Sequence, residues 1–322
     1  MYGQPVNFTF SAADPDGMKV ALAASNLPDG ATFDPGTGAF SWTPTQSQQG
    51  LYSVTFTATD SANASSTGQV AITVDSGKPI ITSIYNAASQ STPACSPGSV
   101  ASLAGRWLAS VDTAVSDPSG ASTLLGGTQV KVNGEYVSVV YASPTRVDFV
   151  CPAAGAGTPL VISAESNAGI AGPVSTLMYQ TSPGIYSMDG TGGGQGLITL
   201  AGTSLLAISR DYRALGQPAE PGDSIAIQAT GIATPDAAVT VRIADFYAVV
   251  QSVQAVPGAA GVYQITAEVP LGIPQGDAVP VVVSLPLDRS RLPSVGGPLL
   301  ASDAHDRGLR SNQTTIAIER PQ

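Results

Sequence analysis

Gly222-Asp223-Ser224 is where a hydrolytic serine would be sought, and Asp303-Ala304-His305 carries the only imidazole that could act as its base. Nucleophilic catalysis needs the hydroxyl, a base within hydrogen-bond reach and a group that orients the base. Hydrolases built on that serine motif place the Asp three residues before the His, and position 302 is Ser. Their sheet is parallel and helix-covered, whereas no segment here has the spacing of an amphipathic helix. Pro221-Gly222-Asp223 also corresponds to Pro97-Gly98-Ser99, so a turn accounts for it. No catalytic residue is expected, and the chain is read as a non-enzyme.

Metal and phosphate chemistry fare little better. One His excludes a His-based zinc site, and two Cys 56 positions apart do not supply a thiolate one. The run from Gly190 to Gly196 lacks the Lys and the following helix of a phosphate loop, and is expected to be a flexible loop. Calcium is the one candidate cofactor. Asp14 and Asp16 flank Pro15, and Asp60 closes a strand-like run, so the three could offer carboxylate oxygens. The alternative is that Asp14-Pro15-Asp16-Gly17 is simply a type I turn. Trp42 and Trp107 could stack on sugar rings, but both fall in strand-like or strand-end segments, where a core role is expected.

The elements that would position these residues are strands. In 322 residues, 43% are hydrophobic and only 11% are charged, under half the usual share of about 25%. Gly and Pro sit between apolar runs, where turns belong. Val6, Phe8 and Phe10 alternate with Asn7 and Thr9, and similar runs cover 51–58 and 69–74. Turn signals such as Asp14-Pro15-Asp16-Gly17, Pro28-Asp29-Gly30 and Asp34-Pro35-Gly36 separate them. Short alternating runs with closely spaced turns predict an all-β chain of tandem sandwiches. A net charge of −10 and the lack of a basic cluster argue against nucleic acid as a partner. No apolar run approaches the roughly 18 residues of a membrane span. Met1 to Pro5 lacks the basic start and apolar stretch of an export signal, which is therefore expected upstream.

Three modules are read along the chain, over 1–77, 78–180 and 181–322. The second and third share a grammar. Pro97-Gly98-Ser99-Val100 corresponds to Pro221-Gly222-Asp223-Ser224, and Val130-Lys131-Val132 to Val241-Arg242-Ile243. The run from Arg146 to Pro152 corresponds to Gln264 through Pro270, and Pro159-Leu160-Val161-Ile162-Ser163 to Pro280-Val281-Val282-Val283-Ser284.

Two resemblances follow. In the first module, the run from Phe10 to Gly17, Leu27 to Asp34, Gly38 to Pro44, Gly50-Leu51-Tyr52 and Ala58-Thr59-Asp60 resemble the Ig-type, cadherin-like repeat of bacterial surface proteins. That resemblance implies a spacer or adhesive module, with carboxylates at loop ends that collect calcium. From about 79 to 320, the chain is similar to the acidobacterial, Solibacter-type C-terminal domain family. Asn86-Ala87-Ala88-Ser89, Leu125-Gly126-Gly127-Thr128, Val132-Asn133-Gly134, the run from Tyr141 to Thr145 and Ser182-Pro183-Gly184-Ile185-Tyr186 carry it. Each half also resembles an IPT/TIG-type immunoglobulin-like unit. The resemblance implies a place at the end of a large exported protein and no established activity.

Against that family's short last turn, this chain inserts 285–311. The insertion holds Arg289, Arg291, Arg307, Arg310 and His305, and is a candidate contact loop or a tolerated mobile insertion. An exported chain with an even Cys count is expected to pair Cys95 with Cys151. In an IPT/TIG-like unit the strands next to them are antiparallel neighbours, which would bring the two together; two buried free thiols are the alternative. The function expected is a structural and adhesive module, extracellular or on the cell surface. A carbohydrate-binding accessory module and a subunit of an extracellular assembly are the alternatives, with a cell-surface glycan, a protein or other copies of the chain as partners.

Overall fold

A computed structural model describes residues 2–75, 77–110, 114–115, 122–232, 238–286 and 310–319. Strand accounts for 52% of the chain, and no α-helix occurs among the described residues, only two short 3-10 turns. The fold is all-β and built from immunoglobulin-like sandwiches, as period-2 patterning requires once one face of each strand is buried. The chain parts into two compact units, Met1–Lys78 and Pro79–Gln322.

The first unit packs two three-stranded antiparallel sheets. One orders Val6–Thr9, Ala39–Trp42 and Thr32–Asp34; the other orders Ala21–Ser25, Gly50–Thr59 and Ser65–Val74. The core between them is aromatic. Phe56 lies 5.1–6.2 Å from the rings of Phe8, Phe10, Phe33 and Phe40, in stacked and edge-on arrangements that suit ring quadrupoles. Trp42 is 1% exposed and its indole N–H donates to the Asp29 carbonyl at 3.1 Å, so it is a core residue with its polar edge satisfied.

The second unit holds two sandwiches. The earlier one has a sheet ordered Ile80–Asn86, Val100–Arg106, Arg146–Val150, Val139–Ala142 and Ala114–Val115. Facing it lie Glu135–Val137, Thr128–Val132, Pro159–Ser166 and Gly169–Leu177. Leu103, Val130, Phe149, Leu160 and Ile162 fill the space between. In the later sandwich one strand, Phe246–Ala255, pairs both with Thr240–Ile243 and with Val262–Glu268. It turns the corner between the two faces, so all ten strands join one continuous sheet. The earlier sandwich interrupts the corresponding strand at Ser138, between Glu135–Val137 and Val139–Ala142, and its two sheets stay separate.

Candidate functional site

The supposed nucleophile sits in a turn that repeats. Gly222 N–H donates to the Val269 carbonyl at 2.9 Å, Val269 N–H donates to the Asp223 carbonyl at 2.8 Å, and Glu220 N–H donates to Asp223 Oδ2 at 2.8 Å. In the earlier sandwich Gly98 donates to Cys151, Cys151 to Ser99, and Ser96 N–H to Ser99 Oγ, at 3.1, 2.8 and 2.9 Å. Asp223 and Ser99 therefore do the same work, closing the turn that starts a strand. The Ser224 hydroxyl donates to Gln251 Oε1 at 3.0 Å. Asp303 and His305 lie outside the described residues.

The carboxylates of the first unit are likewise engaged locally. Asp14 Oδ1 accepts from the backbone N–H groups of Asp16 and Met18, at 2.9 and 3.1 Å, and Asp60 Oδ1 from those of Ala62 and Ala64, both at 2.8 Å. Each is an Asx turn. Asp14 and Asp60 line one depression together with Ser65 and Ser66, whereas Asp16 is exposed and contributes only its N–H to Asp14. Among the described residues no three acids, His or Cys are grouped closely enough to hold a metal ion. The three-carboxylate set of Asp14, Asp16 and Asp60 is thus reduced to two.

Of the candidate contact loop, Arg289, Arg291, His305 and Arg307 lie outside the described residues. Arg310 is exposed and bridges to Ser284. The Gly-rich run departs from the flexible loop expected. Thr315 N–H donates to the Gly194 carbonyl and Gly196 N–H to the Thr315 carbonyl, at 2.7 and 2.9 Å, while Asn312 Nδ2 donates to the Gly192 carbonyl at 2.8 Å. Gly192 is needed for close approach: a Cβ there would lie 2.4 Å from the Ser89 carbonyl oxygen.

Cys95 and Cys151 form a disulfide with Cα atoms 5.8 Å apart. The strands beside them are antiparallel neighbours, with Val150 opposite Val100. Closing 56 residues restricts the unfolded chain and contributes about 2–4 kcal/mol.

A buried polar constellation lies where the two later sandwiches meet. Asn86, 1% exposed, accepts from Ala88 N–H and Ser89 N–H on Oδ1, at 2.9 and 3.0 Å, and donates Nδ2 to the Ser182 carbonyl at 2.7 Å. The Ser182 hydroxyl donates to Ser96 Oγ at 3.0 Å. Val100 N–H donates to Thr230 Oγ1, whose proton goes to the Gly261 carbonyl, at 2.8 and 2.7 Å. Gly184 must lack a side chain because its Cβ would lie 2.5 Å from Asn86 Oδ1. Asp148, 6% exposed, takes a two-pronged ion pair from Arg146 at 2.7 Å and the Ser102 hydroxyl at 2.6 Å. Burial disfavours charge on Arg146, but the hydrogen bond and charge of Asp148 outweigh it and raise its pKa. Tyr186 comes from the later sandwich. Enclosure of its phenol oxygen, with Asp148 nearby, raises its pKa strongly. Burial raises that of Tyr85 as well. Asn86, Ser182, Thr230, Arg146 and Asp148 are each held by a hydrogen-bonding neighbour.

Asn86-Ala87-Ala88-Ser89 and Ser182-Pro183-Gly184-Ile185-Tyr186, which carry the resemblance in sequence, touch one another in the fold. The usable signal was local: an Asn ending a strand before two Ala and a Ser is a strong Asx-turn pattern. Its partner 96 residues away has no local signal. Sequence reasoning also missed a cavity of about 410 Å³ in the later sandwich, lined by Met188, Ile208, Tyr212 and Leu215 with Asp189, Asp211 and Asp277. The hydrogen bonds of Thr191 and Ser187 lower the pKa of Asp189.

The fold and these sites define a string of immunoglobulin-like sandwiches. Residues 1–75 match the family model described as "Putative Ig domain". No curated protein matches the chain. Among solved structures, it is similar to SGBP-B of the Bacteroides ovatus mixed-linkage glucan utilization locus, in complex with a mixed-linkage heptasaccharide. The identity is 10% and the TM-score 0.32, over 98% of this chain and 64% of that one. A titin I9–I11 tandem gives 11% identity and a TM-score of 0.24, over 99% and 95%. The human desmocollin-1 ectodomain gives 13% and 0.21, over 55% and 32%. Scores this low carry no argument about function.

Proposed function

We propose that the chain is a non-enzymatic, extracellular structural and adhesive module, standing toward the C-terminal end of a larger secreted or surface protein. Residues 79–320 are its Solibacter-type domain. The observation that carries this reading is the seam between the two later sandwiches. Sandwiches joined by a bare linker move independently by default. Here Asn86, Ser182, Thr230 and Val100 exchange buried hydrogen bonds across the joint, which suits a part that must hold an orientation. The disulfide fits an oxidising, exported setting.

The test is calorimetry on the intact protein. The unit Pro79–Gln322 is expected to unfold in one transition. Asn86→Ala, which strands a buried carbonyl and two N–H groups, should lower its stability by about 1–3 kcal/mol. Two separate transitions for that unit would overturn the reading. So would turnover in an ester and glycoside screen that disappears in Ser224→Ala.

A carbohydrate-binding role is the second reading, supported by the cavity around Tyr212. Its exposed aromatic ring and carboxylate acceptors suit sugar faces and hydroxyls. A glycan array on the intact protein and on Tyr212→Ala tests it, with loss of signal in the variant expected. Calcium at the Asp14 and Asp60 depression belongs to the same exported setting. A calorimetric titration should give weak, millimolar binding that Asp60→Asn abolishes; no heat, and a melting temperature indifferent to chelator, would remove it.

A further inference from the structure

Sheet edges expose unpaired backbone groups, and proteins guard them with short strands, prolines, charges, bulges or covering segments. Most edges of this chain are guarded. Val6–Thr9, Thr32–Asp34, Ala21–Ser25, Glu135–Val137, Ala114–Val115 and Gly216–Gln217 have five residues or fewer. Gly169–Leu177 is long but carries Pro173 and an irregular register. Ile80–Asn86 also breaks register. Thr314–Ile318 is bridged by Gln195 and Ala219.

Ser65–Val74 has none of these devices. It is a ten-residue edge, SSTGQVAITV, without Pro or any ionisable side chain. It pairs with Gly50–Thr59 through ten consecutive positions without a bulge. Residues 65–69 are exposed, and a Cβ on Gly68 would meet nothing within 4 Å. Among the described residues no backbone hydrogen bond from outside its own sheet reaches it.

We propose that Ser65–Val74 pairs with the same strand of a second copy of this chain, antiparallel about a two-fold axis at Val70. The resulting sheet has six strands. The strand's own chemistry selects this occupant. Without charges, self-pairing sets no like charges opposite one another, whereas a charged partner strand would find no complement. The register follows from the burial pattern. Val70, Ile72 and Val74 face the core, so paired residues must share that parity for the faces to match. An axis at Val70 sets each Ile72 opposite a Gly68, large against small, and Gln69 opposite Ala71 on the outer face. Closed two-fold pairing uses one patch on both copies and leaves only the five-residue strands Ala21–Ser25 at the outer edges. The inference stands apart from the spacer reading, because it concerns only the first sandwich.

Sedimentation equilibrium of the intact protein tests it. A dimer is expected at about 0.1 mM, where a complex with Kd near 10 µM is mostly formed. Gln69→Lys with Ala71→Lys clusters four ammonium groups at the axis and should give a monomer, with the calorimetric transition of the first sandwich retained to show that it still folds. Gln69→Cys with Ala71→Cys should give an oxidised covalent dimer, since cross-strand Cα spacings of about 4.5–5.5 Å admit a disulfide. A wild-type monomer at 0.1 mM would overturn the proposal, whether the edge is then covered by another part of the polypeptide or by another protein. A dimer indifferent to the lysines would overturn it equally.

Discussion

The two later sandwiches share one plan and differ at three places that can be matched residue by residue. Cys95 bridges to Met178 and accepts from Tyr179 N–H; Ala219 bridges to Ile318 and accepts from Glu319 N–H, both at 2.9 Å. Cys151 and Val269 occupy the same end of the following strand. The positions that carry a disulfide in one repeat therefore carry an Ala and a Val in the other, and all four residues are buried. The hairpin tip differs too. Asn133 and Gly134 take positive φ of 52° and 90°, as a two-residue hairpin demands, whereas the later repeat puts Ala244 at φ 49°. On the outer face Lys131 pairs with Glu165 at 2.8 Å and lies 4.5 Å over the Tyr136 ring. The later repeat has Arg242 opposite Tyr247, with Ser284 where Glu165 stands, so the ladder pairs Ser163 with Val282 and corrects by two residues the match of Ser163 to Ser284 read from the sequence. The common frame is the set of backbone bonds around the Pro-Gly turn; side-chain devices are optional additions to it.

Breaking the bridge should give the largest effect. Cys95→Ser with Cys151→Ser is expected to cost about 2–4 kcal/mol, read as a lower calorimetric transition for the second unit with the first unit's transition unmoved. The comparison is sharpened by moving the bridge. Ala219→Cys with Val269→Cys should oxidise spontaneously, seen as two further thiols protected from alkylation. Its gain should be only about 1–2 kcal/mol, because two buried methyl groups are lost. A pair that stays reduced would show that the repeats are not superposable at this point. Ala244→Gly relieves a backbone region that alanine rarely adopts and should stabilise by about 0.5–1 kcal/mol in denaturant titration; the change Asn133→Ala should do the reverse.

The smallest effect concerns the seam at high pH. Tyr186 has its pKa raised above the ordinary 10.0 by enclosure, so the folded protein holds that proton more tightly than the unfolded chain. Its contribution is fully present below pH 10 and is lost as pH climbs above it. Melting temperatures of the intact protein should fall above pH 10, less steeply in Tyr186→Phe. Equal slopes would place the phenol outside the seam. Tyr85, raised in the same direction, leaves part of the slope in the variant.

The sequence alone determined the strands, because Val6, Phe8, Phe10 and their successors can bury one face only at period 2. It also determined the turns, because Pro-Gly, Asn-Gly and Asx patterns act over two to four residues. The recurrence of the Pro97-Gly98-Ser99 and Pro221-Gly222-Asp223 segments was legible for the same reason. Tertiary structure decided the rest. That Asn86 meets Ser182, that Gly192 must admit Ser89, that Tyr186 approaches Asp148, and that Asp14 and Asp60 share a depression without Asp16 all depend on chain segments distant in sequence. Whether one strand bends to join two sheets or breaks into two also emerged only there, since Phe246–Ala255 and Glu135–Ala142 show similar local patterns. Backbone propensity and alternation are local and leave a signature in each segment. Contacts between segments depend on how whole sheets pack, and no single residue records them.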